Sequence, residues 1–211
     1  MSADSNQRLS LPESFTLAPA TAEDVLAVSS GVLRKAVFVE DHYSMRDGAL
    51  RPARGGLFCE DIFGALDGSL ESDRRVDRFG RVPLAIPMNH PWFDVPVKEL
   101  AVLPPGYRPF VRTPEGELRP HDLTTLYGRL IAINARLIRM IELGAPEHVV
   151  QGDKKELALD LARLFDNEGC GEDTLMQSGH PPKGLASKLG TKDEHELAAL
   201  LLCLGIKAVK A

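Results

Sequence analysis

The chain has 211 residues, 44% hydrophobic and 26% charged, enough for one large globular domain or two small ones and unlike a disordered chain. A formal net charge of −5 argues against a stand-alone nucleic-acid binder, which needs a net basic face to neutralise phosphates. The polar start Met1–Gln7 lacks a signal peptide's pattern, and the longest apolar run, Leu197 to Leu204, is too short to cross a bilayer, so a cytoplasmic protein is expected.

Residues 1–12 read as a loose tail. Thr21-Ala-Glu-Asp24 before Val25-Leu26 is an N-cap followed by first-turn acids and predicts a short helix, with Gly31 as its stop. Ala36-Val-Phe-Val39 has strand composition. From Arg46 to Pro120, glycine and proline are dense and no long helical period survives. That stretch predicts irregular structure with short strands such as Arg81–Ile86. Leu103-Pro-Pro-Gly-Tyr107 is a turn or linker and the natural boundary of the chain.

Beyond it the texture changes. Leu123, Leu126, Leu130, Ile133, Leu137 and Met140 recur at alternating spacings of three and four, predicting a helix from Asp122 to Leu143 that packs along a narrow seam. Gly144 stops it, Pro146 opens a second helix, and Glu147 suits that helix's positive end. Val150, Leu157, Leu161 and Leu164 mark the second helix, which ends near Asn167–Gly169. So short a connection makes the pair antiparallel. Ile131, Ile138 and Ile141 lie off the seam. They either pack against the body of the same domain or line a groove for a partner. Thr191-Lys-Asp-Glu194 is a capping-box pattern that starts a last, mostly apolar helix ended by Gly205.

Chemistry-bearing residues are sparse. Cys59, Cys170 and Cys203 stand far apart, so neither a zinc knuckle nor a disulfide framework is suggested. A nucleophilic Cys59 would need a base, with His42 and His90 as candidates, but flanked by Phe58 and Ile62 it reads better as a small buried hydrophobe. The six histidines show no metal-ligand spacing. Arg74, Arg75, Arg78 and Arg81 alternate with Asp73 and Asp77, a charge-mixed loop more than a phosphate site. No catalytic residue, metal site or cofactor is expected.

Several segments together carry a resemblance. Gly56-Leu-Phe-Cys-Glu-Asp-Ile-Phe-Gly64 resembles the G-L-F-C-E-R-I-F-G segment of the bacterial RNA polymerase largest subunit, β′. Ala20 to Gly31 is similar to that subunit's opening, and Arg78–Pro87 with His90-Pro-Trp-Phe93 to its R-x-G-H-I-x-L-A-x-P…H-I-W-F. Val102-Leu-Pro-Pro-Gly-Tyr-Arg-Pro109 resembles V-L-P-P-x-L-R-P. The hairpin, through Asp122-Leu, Leu126-Tyr127, Asn134-Ala-Arg-Leu137 and Leu143-Gly-Ala-Pro-Glu147, resembles the clamp helices. Pro182-Lys-Gly-Leu185 to Gly190-Thr-Lys192 is similar to the stretch that follows them. All occur in the family's order.

The departures carry weight too. The family's zinc cysteines would fall within Ala65–Asp77, which is short and cysteine-free. A long stretch between Phe93 and Val102 is missing, and so is the N-A-D-F-D-G-D segment whose aspartates hold the catalytic magnesium. Without it the chain has no basis for two-metal phosphoryl chemistry. Lys192-Asp-Glu-His-Glu196 is acidic where the family turns basic toward DNA. The clamp helices are the family's docking site for σ factor. By resemblance the candidate partner-binding residues are Asn134, Arg136, Arg139, Gln151, Asp153 and Lys155. Ile133 stands where the family has an arginine, and Gln151, Gly152 and Asp153 replace its arginine, asparagine and glutamate. These changes weaken a standard σ contact and leave room for a divergent partner.

The expected fold class is α+β, mainly helical. It comprises a tail (1–12), an N-terminal clamp-like region without its zinc segment (13–102), and a helical hairpin with a closing helix (103–211). The leading functional expectation is a non-catalytic β′ clamp-like protein in transcription. It would bind σ factor, a σ-like protein or other RNA polymerase subunits, with no membrane and no nucleic acid on its own. A piece of a split β′ subunit and a small cysteine-dependent enzyme are the alternatives.

Overall fold

The structure, a computed structural model, describes residues 11–12, 14–37, 52–64, 78–177 and 179–210. The expectations for most of the tail, for Phe38 and Val39, for His42, for Arg46 to Arg51, and for the span 65–77 with Arg74 and Arg75 lie outside the described residues.

The fold is α+β. Thr21 caps the first helix, α1 (Ala22–Val28), in a full capping box: its hydroxyl accepts from Asp24 N and the Asp24 carboxylate accepts from Thr21 N. The helix ends at Ser29 rather than Gly31, because the chain turns directly into a strand, β2 (Ser29–Val32). Ala36 and Val37 form no strand. The Gly/Pro-rich region is more ordered than its composition suggested. A four-residue helix, α2 (Glu60–Phe63), precedes an 11-residue strand, β3 (Phe79–Asn89), and a further strand, β4 (Pro96–Val102). The three strands form one sheet in the order β2-β3-β4, with β2 parallel and β4 antiparallel to β3. Pro87 is accommodated where the β3–β4 register breaks between Pro83 and Met88, so it removes no regular ladder bond.

A buried turn, Leu103–Tyr107, leads past a two-residue ribbon, β5 (Val111–Arg112) and β6 (Leu118–Arg119), into the hairpin helices α3 (Asp122–Glu142) and α4 (Glu147–Asp166). Gly144 makes the connection with φ of 65°, a conformation that favours glycine, and Pro146 is the N-cap of α4. The last helix, α5 (Glu194–Cys203), is capped by Asp193, whose carboxylate accepts from His195 N and Glu196 N. The expected cap, Thr191, instead donates its hydroxyl to Glu196. A final strand, β7 (Ile206–Lys210), pairs antiparallel with β1 (Phe15–Pro19), a ribbon unforeseen from sequence.

One hydrophobic cluster takes residues from the sheet, α2, the hairpin and α5. Arg108 lies within it at 0% exposure. Its guanidinium donates to Leu103 O at 2.7 Å, to Leu57 O at 2.5 Å and to Thr124 Oγ1 at 3.3 Å. It lies 4.9 Å from the Phe58 ring centroid, 5.5 Å from that of Phe63 and 5.9 Å from that of Tyr127. Burial lowers its pKa to about 10, which leaves it charged at neutral pH. Arg108→Met keeps the apolar stem but strips two buried carbonyls of their donor. It is expected to lower unfolding free energy by about 2–4 kcal/mol in a urea titration.

Neutral histidine supplies a second sensitive point. Leu123 N donates to His121 Nδ1 at 3.1 Å, capping α3, which a doubly protonated ring cannot accept. Burial, reinforced by nearby Lys188, lowers the His121 pKa from 6.5 to about 4. The folded state therefore binds fewer protons than the unfolded one in that window, so stability is full above about pH 6.5 and falls as pH drops toward 4. Melting temperature should follow that slope, and His121→Asn, which keeps a cap acceptor without titrating, should flatten it.

A candidate docking site on the helical hairpin

The seam forms as its spacing predicts. Leu123, Leu126, Leu130, Ile133 and Leu137 of α3 and Val150, Leu157, Leu161 and Leu164 of α4 are all buried. Ile133, at the position where the resemblance implied a lost partner-facing arginine, is 5% exposed and belongs to this core.

One flank of the hairpin is a ladder of ion pairs. Arg136 Nε and NH2 fork onto the Asp153 carboxylate at 3.1 and 2.7 Å, and NH2 also reaches Glu156 at 2.9 Å. One heptad toward the base, Arg129 donates to Asp160 at 3.3 Å, and Arg163 meets the same carboxylate at 3.1 Å. The seven-residue spacing on both helices is what antiparallel packing needs for successive pairs to meet. Hydrogen bonding to Asp153 raises the Arg136 pKa further. Asp153 and Asp160 are buried, so these carboxylates belong to the hairpin's own cohesion.

The other candidates separate. Asn134 is buried: its Oδ1 accepts from Ala85 N at 2.8 Å and its Nδ2 donates to Pro83 O at 3.0 Å. The amide takes the place of a strand on the edge of β3 just past β2, whose last regular pairing is Val32 with Arg81. Gln151 is exposed and donates to Glu147 on its own helix. Arg139 and Lys155 are exposed, with no side-chain partner among the described residues. The structure therefore joins Arg136 to Asp153, turns Asn134 inward, and leaves Arg139, Gln151 and Lys155 on the surface.

Past Leu137 the hairpin leaves the body. Ile138, Ile141, Leu143 and Val149 are exposed by 36%, 43%, 67% and 39%. Of the three off-seam isoleucines, Ile131 packs into the body while Ile138 and Ile141 do not. Single-residue reading missed Arg129, Asp160 and Arg163. Pairing heptad-spaced opposite charges across the predicted antiparallel helices would have found the Arg129–Asp160 rung.

Cys59 is buried between Phe58 and Ile62, as packing demands. His90 Nε2 donates to Leu204 O at 2.7 Å, its Nδ1 accepts from Trp92 N, and its ring packs against Phe93 and Phe165. Burial lowers its pKa, in keeping with a neutral core ring. Among the described residues no group of three or more potential ligands is placed to hold a metal, and no helix is long and apolar enough to cross a membrane.

If the flank is an internal clasp, Arg136 and Asp153 must be coupled. A double-mutant cycle with Arg136→Met and Asp153→Asn is expected to give a coupling of about 1–2 kcal/mol in stability, well above an exposed pair.

Comparison with known proteins covers this same part of the chain. The family model described as RNA polymerase Rpb1, domain 1, matches residues 94–193, which include β4 from its first residue and the whole hairpin. DNA-directed RNA polymerase subunit β′ of Corynebacterium glutamicum (strain R) is 41% identical over 93 residues, 44% of this chain and 7% of that protein. The same subunit of Bifidobacterium adolescentis is 40% identical over 93 residues, and that of Rhodopirellula baltica 36% over 93, each again covering 44% of this chain. The matched stretch spans 6–7% of these relatives' length. Through residues 94–193, this chain is related to the N-terminal region of the bacterial RNA polymerase largest subunit, β′.

Proposed function

We propose that the chain is a non-catalytic β′-related transcription protein that uses its α3–α4 hairpin, the counterpart of the clamp helices, to dock a σ factor or σ-like protein in the bacterial cytoplasm. The observation that carries this reading is the hairpin's form: a braced pair of helices that exposes Ile141, Leu143 and Val149 around its connection and carries the exposed cations Arg139 and Lys155. Exposed apolar side chains on a rigid support are what protein recognition uses, and their cost in water is relieved when a partner covers them. On this reading Arg136, Asp153 and Asn134 hold the hairpin, and Arg139, Gln151 and Lys155 meet the partner. On this reading the chain's part is binding and not phosphoryl transfer.

A second reading, one piece of a split β′ subunit, is favoured by the small share of the relatives that the match spans. The two differ in partner. A docking protein binds a free σ factor, whereas a subunit piece assembles with the catalytic remainder.

Fluorescence anisotropy against the purified σ factors of the source organism tests the proposal. Wild type should bind at least one, and Leu143→Glu should weaken binding about tenfold or more with an unchanged melting temperature. No binding of any σ factor by the folded wild type would end the σ reading.

A further inference from the structure

The strand β3 is much longer than its neighbour β2. The two pair only at Phe79, Gly80 and Arg81, and the last backbone bond on that side runs from Leu33 N to Arg81 O at 2.8 Å. Beyond Arg81, no strand among the described residues covers this side of β3. Leu84, Ala85 and Ile86 in that stretch are half-buried, and Pro87 and Asn89 are exposed. A bare edge of this length with apolar side chains is a template on which another chain can add a strand.

The residues along the edge remove that possibility. Backbone groups of successive residues in a strand point to alternate sides. His90 N donates to Val95 O, so the even-numbered residues face β4. The bonds made by Arg81, Pro83 and Ala85 put the odd-numbered residues on the open side. There Pro83 and Pro87 have no N–H to offer. The donor between them, Ala85 N, is given to Asn134 Oδ1 at 2.8 Å, and Asn134 Nδ2 donates to Pro83 O at 3.0 Å. From Pro83 to Pro87 the edge has no free donor.

Asparagine suits this place because its side chain carries the same amide as a peptide unit. It completes one rung of the ladder as a strand would. It passes nothing on, since the Asn134 backbone lies inside α3, where its own N–H and C=O serve the helix. The side chain is 4% exposed, so packing holds the cap in position.

We propose that Pro83, Asn134 and Pro87 act together as an edge block that closes β3 to strand addition by a second copy of this chain. Asn134 thereby has two tasks: it fastens the hairpin to the sheet and finishes the sheet's edge.

Sedimentation velocity over a concentration series, with amide hydrogen exchange followed through residues 83–89 of the full chain, tests the proposal. Pro87→Val should self-associate at concentrations about threefold below any at which wild type does, and Pro87→Val/Asn134→Ala about tenfold below, because each change returns donors to the edge. In the associated double variant Ala85 N–H should again exchange slowly, now bonded to the neighbouring copy. Asn134→Ala alone exposes one donor between two prolines. Its Ala85 N–H should exchange faster than in wild type, with no added self-association. Melting curves check that each variant is folded, and Pro87→Val, changed at an exposed site, decides the matter by itself if the double variant is not. Folded Pro87→Val and double variants that associate no more than wild type would overturn the proposal. So would association in which residues 83–89 exchange freely, or an Asn134→Ala variant that associates as strongly as the double variant.

Discussion

A guanidinium in the core organises this molecule. Arg108 is out of contact with water, and its described partners include no carboxylate. A bare cation there would be costly. It is tolerated because charge-assisted hydrogen bonds run to three segments that share no secondary structure: the turn before α2 through Leu57, the end of β4 through Leu103, and the first turn of α3 through Thr124. Three aromatic rings complete the site. The planar fork needs all three segments at once, so it fixes the base of the hairpin to the sheet in one orientation.

Asn134 sets the second point of attachment, about ten residues farther along α3. With one anchor a long helix could pivot, whereas two fix its direction. Beyond them the hairpin depends on its own seam and on the clasp between Arg136 and the acids of α4. Self-pairing of these charges turns one flank into a neutral brace, and the exposed apolar side chains Ile141, Leu143 and Val149 lie toward the tip. The similarity to β′ covers this support, and Ile133 belongs to its buried seam.

How much was legible follows from which forces are local. The hairpin could be read because each helix carries its whole apolar stripe within consecutive residues, and Thr21 could be read as a cap because its partner Asp24 is three residues away. Strands β4, β1 and β7 could not, since each is short and gains its definition from residues distant in sequence. Of the long β3 only Arg81–Ile86 was read as a strand, since its ends gain their definition from pairing with β2 and β4. Arg136 and Asp153 were read from sequence as partner contacts, and the structure pairs them with each other. That Asn134 points inward was not legible, because it depends on the angle between hairpin and sheet.

The ribbon of β1 and β7 has a consequence for how the molecule assembles. Phe15 is opposite Lys210 and Pro19 opposite Ile206, so pairing them joins residues separated by most of the sequence. Closing so long a loop costs entropy that grows with the logarithm of its length, and five residue pairs in a two-stranded ribbon return little until everything between them is ordered. The hairpin's contacts are local and need no such closure. The order of events is thereby set by topology: helices first, the sheet on its buried cation next, and the ribbon last, as a fastening whose formation depends on the integrity of the whole.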